Sequence, residues 1–172
     1  MRRNDRAIDD RAAQELILDA ATVVRLGFVD AGRPYVVPLN FARVGGALYF
    51  HSAAAGRKVD LLRSGAEVCF EAEGDCRVVV ADDACSCSAY YESVIGWGRP
   101  EFLTDPDEKR LALRAINRKY GVTDDPIEPK LLARTEVVRL AITEMTGKAH
   151  RPPADAAPAD AADAAPTHGA RS

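Results

Sequence analysis

The sequence predicts a mainly β protein: a closed or nearly closed antiparallel barrel of six or seven strands with helices at its periphery. Three observations lead there. Runs rich in Val, Phe, Tyr and Leu recur from Thr22 to Met145, turn residues separate them, and helical spacing of apolar residues is confined to a segment at each end of the strand array and one inside it.

Asp9 or Asp10 caps a first helix through about Ala20, in which Ala13, Leu16, Ile17 and Ala20 recur at three- and four-residue spacing. The period then changes. Thr22 to Val29 and Pro34 to Arg43 read as strands joined by the turn Asp30-Ala31-Gly32-Arg33, and Gly45-Gly46 turns the chain into a third consecutive strand, Ala47 to Ser52. A short helix from about Gly56 to Ser64 stops at Gly65 and buries Val59, Leu61 and Leu62. Ala66 to Ala72 and Arg77 to Ala81 read as the next pair. A long strand runs from about Ser86 to Leu103, where Gly96 and Gly98 signal bulges or close backbone approach. Asp105-Pro106-Asp107-Glu108 starts a helix with an Asp N-cap, Pro at N1 and acids facing the dipole; Leu113, Ile116 and Tyr120 line one face and Gly121 ends it. A connection with Pro126 and Pro129 leads to a last strand, Glu136 to Met145.

At 172 residues the chain suits one domain, residues 1–150, followed by an Ala/Pro/Asp-rich tail, 151–172, too poor in apolar surface to offset its ordering entropy. The net charge of -3 and a pI near 5.6 lack the basic footprint of a protein that tracks nucleic acid or anionic lipid. No apolar signal region follows Met1-Arg2-Arg3-Asn4-Asp5-Arg6, and no stretch approaches the roughly 18 apolar residues of a membrane span, so a cytoplasmic location is expected. Cys69, Cys76, Cys85 and Cys87 are then expected to be reduced. Cys85-Ser-Cys87 lacks a second pair, and two of the three histidines, His150 and His168, lie at the end of the chain; packed thiols outweigh a metal site.

The segment with most chemical content is Tyr49-Phe50-His51-Ser52-Ala53-Ala54-Ala55-Gly56-Arg57-Lys58. Arg57 and Lys58 fall in the first turn of the short helix, where the dipole already presents positive charge. A bound phosphate would reverse that disadvantage by taking the guanidinium fork and the ammonium together. The alternative is a pair of solvated cations, one of them paired with Asp60.

This pattern resembles the FMN-phosphate segment of the pyridoxamine 5′-phosphate oxidase-like split barrels, a family in which a serine often stands where this chain has Gly56. Residues 1 to about 150 resemble the nitroimidazole-resistance branch more closely, through Arg2-Arg3-Asn4-Asp5-Arg6, Pro34-Tyr35-Val36-Val37-Pro38-Leu39-Asn40-Phe41, Tyr49-Phe50-His51-Ser52 and Tyr91-Glu92-Ser93-Val94-Ile95-Gly96-Trp97-Gly98. Members of that branch usually carry an aromatic near the position of Cys87. The resemblance implies a six- to seven-stranded split β-barrel with FMN between two subunits. Arg57 and Lys58 would hold the phosphate, His51 and Ser52 would lie beside the ribityl chain and ring, and Val37, Pro38, Leu39 and Asn40 would run along the flavin edge through backbone groups. Ser93 and Trp97 would approach the partner or the flavin. Pro38, with no N–H for a ladder, suits a place where a ligand approaches; the alternative is an edge-strand proline.

FMN would carry the electron chemistry, so the lack of an acid–base dyad is no obstacle. The expected activity is two-electron reduction of a small acceptor, such as a nitroaromatic, by an FMN-dependent oxidoreductase, with His51 donating to the flavin or protonating reduced substrate. Without a Rossmann fingerprint, an NAD(P)H donor would dock transiently over the flavin. The alternatives are a flavin-binding or redox-sensing protein without turnover, a haem-binding barrel with His51 as axial ligand, and a deazaflavin-dependent reductase.

Overall fold

The computed structural model describes residues 3–79, 88–122 and 126–151. Cys85, Cys87 and the predicted tail beyond Arg151 lie outside the described residues. After a 3-10 turn at Asn4–Arg6 come β1 (Ala7–Ile8), α1 (Arg11–Ala20), β2 (Val24–Asp30), β3 (Arg33–Leu39), β4 (Ala42–Val44), β5 (Ala47–Ser52), α2 (Arg57–Arg63), β6 (Val68–Val79), β7 (Ser88–Phe102), α3 (Pro106–Lys119), α4 (Pro129–Arg134) and β8 (Glu136–His150). The strands form one antiparallel sheet in the order β3-β2-β6-β7-β8-β5-β4, with β1 added to β8.

Both predicted turns pair their flanking strands, but the middle strand is not continuous. Pro34 to Arg43 is two strands rather than one, broken at Asn40-Phe41, and its halves lie at opposite ends of the sheet order: β3 pairs with β2, β4 with β5. The break is pinned from α3. The Tyr120 hydroxyl donates to the Thr22 carbonyl at 2.7 Å and accepts the Phe41 N–H at 3.0 Å, while the Lys119 ammonium sits 3.5 Å over the buried Phe41 ring and donates to the Leu18 carbonyl. Burial pulls the Lys119 pKa down to about 8.

The pair expected between Ala66 and Ala81 is instead the single strand β6, whose register slips between Glu73 and Cys76 and then continues along β7. Gly74 and its neighbours act as a bulge rather than a turn, because β7 is long enough to pair on both sides of the slip. On α1, Gln14, Ile17 and Leu18 are buried and Leu16 is exposed, a face rotated from the predicted one. The Gln14 side-chain amide donates to the Ile8 carbonyl at 2.7 Å, which fixes that rotation. The Pro126–Pro129 connection contains α4, with Pro129 in its first turn. The α3 start is as read: Asp105 accepts the Asp107 and Glu108 N–H groups, both at 2.9 Å.

Alternation along the strands separates two faces. The inner row Val37, Leu26, Phe70, Gly96 and Met145 crosses five strands and belongs to the main core with Leu18, Phe41, Phe50 and Leu140. A second cluster packs α3 and α4 against Leu103 and Val137. The glycines of β7 serve this interior: a Cβ at Gly96 would lie 2.7 Å from Phe70 Cε1 and 2.5 Å from the Glu144 carbonyl oxygen, and one at Gly98 would lie 2.7 Å from Leu140 Cγ. The close approach expected of them is therefore made by core side chains and by the neighbouring strand β8. A register slip does fall between Trp97 and Gly98.

Candidate functional site

Arg57 and Lys58 open α2, whose first N–H groups receive no side-chain cap. Gly56 precedes them at φ 126°, a backbone conformation that strains any L side chain, so glycine at this position has a conformational cause. Arg57 does not pair with Asp60. Its Nε donates to Asp30 Oδ2 at 2.6 Å, and its guanidinium lies 4.3 Å from the centre of the Tyr35 ring. Both partners belong to the β2–β3 hairpin, so this contact ties the start of α2 to that hairpin, and among the described residues the terminal nitrogens of Arg57 make no hydrogen bond. Lys58 is half-buried, has no ion-pair partner among the described residues, and its pKa is lowered by desolvation. Because α2 has only two turns, the two side-chain cations dominate the local field.

Strand β3 ends the sheet order, so among the described residues its outer edge has no strand partner. Val37 and Leu39 turn inward against the core, whereas Pro38 and Asn40 are exposed. What the Val37–Asn40 segment offers on that edge is backbone, interrupted at Pro38 where no N–H exists. His51 and Ser52, neighbours on β5, face opposite ways: His51 is exposed and Ser52 is buried. They cannot both face one ligand surface through their side chains.

Ser93 and Trp97 lie on the outer face of β7. Trp97 stands in register with Cys69, Gly27 and Val36 on three successive strands, with Ile95 and Val29 close by on the same face. Val36, Ile95 and Trp97 are 59%, 45% and 36% exposed, and Gly27 leaves a shallow floor among them. Charges bound this apolar row: Arg25 donates to Glu71 and Glu73, each at 3.0 Å. Elsewhere, a cavity of about 450 Å³ between α3 and the outer face of β5, β7 and β8 is lined by Tyr49, Glu101, Leu103, Glu108 and Arg139, and none of the predicted flavin residues borders it. Among the described residues no helix is long and apolar enough to cross a membrane, and no cluster of His, Cys, Asp and Glu is arranged to hold a metal ion.

Sequence reasoning missed Asp30 and Tyr35 as the anchors of Arg57. The nearest signal was the turn that contains Asp30, but nothing in the local pattern brings it to a helix 27 residues onward.

An antiparallel sheet whose two end strands are consecutive in the chain, with peripheral helices, defines a split barrel. Residues 10–149 match the family described as pyridoxamine 5′-phosphate oxidase, and the chain belongs to that family. A candidate 5-nitroimidazole antibiotic resistance protein from Bacteroides thetaiotaomicron is 33% identical, with 83% of this chain and 86% of that one covered at a TM-score of 0.75. The flavocytochrome Anf3 from Azotobacter vinelandii is 27% identical over 89% of this chain and 73% of its own, at a TM-score of 0.77. A FAD- and haem-binding protein from Mycobacterium smegmatis, 24% identical over 96% of this chain and 94% of its own at a TM-score of 0.77, shares the fold. No curated protein matches the chain.

Proposed function

We propose that the chain is an FMN-dependent oxidoreductase that works as a homodimer and reduces a small acceptor, a nitroaromatic being the candidate class, with NAD(P)H as donor. The observation that carries this reading is the placement of two cations, Arg57 and Lys58, at the start of α2, with Arg57 held against the β2–β3 hairpin at one end of the sheet. Arg57 is already oriented by Asp30 and Tyr35, and among the described residues Lys58 has no carboxylate partner. These groups suit a phosphate, and the exposed backbone from Val37 to Asn40 suits a flat heteroaromatic edge that needs both donors and acceptors. Kinship with a flavocytochrome supports a flavin as the occupant.

FMN, when bound, supplies two-electron transfer. The protein's part is to hold and orient. Arg57 and Lys58 anchor the phosphate end, Pro38 and Asn40 border the ring, and His51, exposed on β5, is the side chain available to deliver a proton to the acceptor. Ser52, turned inward, supports the strand end, and Ser93 and Trp97 form the outer wall. The apolar row Val36, Gly27, Cys69 and Trp97 is the surface a second copy covers, closing a groove that one small barrel leaves open.

The test is absorbance of the purified protein together with FMN titration of the Arg57→Ala, Lys58→Ala double variant. Loss of two charge-assisted phosphate partners should weaken FMN binding by about a hundredfold or more while the fold persists. Full flavin content in the variant overturns the phosphate assignment, and a Soret band without flavin absorbance replaces it with haem binding.

A further inference from the structure

Two features singled out in the sequence are given no role in holding the flavin phosphate: the basic stretch that ends at Arg6, and Tyr91, two residues before Ser93. The fold brings them together. β1 pairs with the end of β8, Ala7 opposite Lys148, and β7 sets Ser93 opposite Lys148 on the other side. Arg6, Lys148, Tyr91 and Ser93, all half-buried, thus gather at one end of the sheet.

Their charges do not balance. The Arg6 guanidinium and the Lys148 ammonium both act on the Tyr91 hydroxyl; hydrogen bonding from Arg6 and then the charge of Lys148 pull its pKa below the ordinary phenol value. Arg3 lies close enough to feel the same phenol. Asp5 is the acid beside them, and Arg3 takes both of its oxygens, at 2.9 and 2.7 Å. Glu92 is engaged by Arg151. Among the described residues neither Arg6 nor Lys148 forms an ion pair, although Asp5, bound by Arg3, also feels the charge of Arg6; Arg6 Nε is buried and has no hydrogen-bond acceptor. Two cations that share one neutral phenol, with a guanidinium N–H sealed from water and unbonded, form an arrangement that an anion would complete.

We infer that Arg6, Lys148 and Tyr91 form a second anion site, which takes a phosphate group. The donors favour phosphate over carboxylate: a guanidinium fork, an ammonium and the Tyr91 and Ser93 hydroxyls exceed what two carboxylate oxygens need and suit a tetrahedral group. The site is separate from Arg57. Val24 and Val94 are level through Ala72; Asp30 lies six residues beyond Val24 in one direction and Tyr91 three residues before Val94 in the other, about 30 Å apart along the strands. One phosphate cannot serve both places.

Inorganic phosphate titrated into the full chain, followed by phosphorus NMR and calorimetry, tests this. The Arg6→Gln, Lys148→Gln double variant should lose about tenfold or more in affinity, the Arg6→Lys and Lys148→Arg variants should retain most of it, and the Arg57→Ala, Lys58→Ala variant should still bind phosphate at this site. Bound phosphate should also raise the pH at which one phenol ionises, a change absent in Tyr91→Phe. Acetate should bind more weakly, and a nucleoside monophosphate that binds more tightly than inorganic phosphate identifies a nucleotide as the carrier. Unchanged affinity in the folded Arg6→Gln, Lys148→Gln variant, loss of all binding in the Arg57→Ala, Lys58→Ala variant, or no phosphate binding at all overturns the assignment. FMN titration reads the other site independently, so either reading can fail alone.

Discussion

Replacing Gly96 by alanine adds one methyl group at the centre of the inner row. That Cβ would lie 2.5 Å from the Glu144 carbonyl oxygen and 2.7 Å from Phe70 Cε1, with Phe70 Cζ closer still. Carbon pairs rest at about 3.5–4.0 Å, so the ring must retreat by about 1 Å or more. It has little room, since Phe70 is fully buried, and on the other side the obstacle is the backbone of β8. Overpacking costs about 1–3 kcal/mol, and two-sided confinement puts this variant near the upper end. For a domain of this size each kcal/mol shifts the melting temperature by about 2–4 °C, which makes the expected loss roughly 6–12 °C by calorimetry. Adding Phe70→Leu should recover part of the loss but not the strand contact. Gly46→Ala, with nothing within 4 Å of the added carbon, is the control and should melt like the parent. A Gly96→Ala protein that melts within a degree of the parent would refute the inward orientation of β7 on which the outer-face assignment of Trp97 depends.

Lys119 predicts a pH dependence. Its folded pKa of about 8 lies below the ordinary 10.5, so between those values the unfolded chain binds more protons and stability rises with pH. Urea unfolding of the parent and of Lys119→Met should therefore diverge in the parent's favour from pH 8 to 10.5; a constant difference between them would contradict it. Trp97→Glu places a charge in the apolar row of the outer face; on the proposed function it should yield a monomer with reduced flavin content where the parent is a flavin-bound dimer. Light scattering combined with flavin absorbance checks this, and a monomer with full flavin occupancy would exclude a shared site.

The elements legible from sequence were those with local chemistry. Asp105-Pro106 fixes the start of α3 through bonds within three residues, and Asp30-Ala31-Gly32-Arg33 fixes a hairpin with Ala31 and Gly32 both at positive φ. The misreadings arose where distant chain decides. Gly74 resembles a turn until β7 pairs across it, and the face of α1 depends on where Ile8 leaves its carbonyl. The six residues of α4 are too few for a periodic signal, and the prolines around them read as a connection. The site divides in the same way. Arg57 and Lys58 were visible as cations out of place at a helix start, whereas Asp30 and Tyr35, which orient Arg57, become its neighbours only once the hairpin folds against α2.

The path of the chain around the barrel has a topological consequence. The strands at the two ends of the sheet order, β3 and β4, are separated by Asn40 and Phe41 alone and do not pair with each other, while β1 and β8, from opposite ends of the described chain, lie side by side with Ala7 opposite Lys148. A short linker could therefore join the ends of the described chain, and the backbone could be opened between Leu39 and Asn40, with every strand pair left intact. In such a circular permutant the long-range β1–β8 closure would become a local hairpin. The order in which the barrel assembles would change while the finished sheet stayed the same.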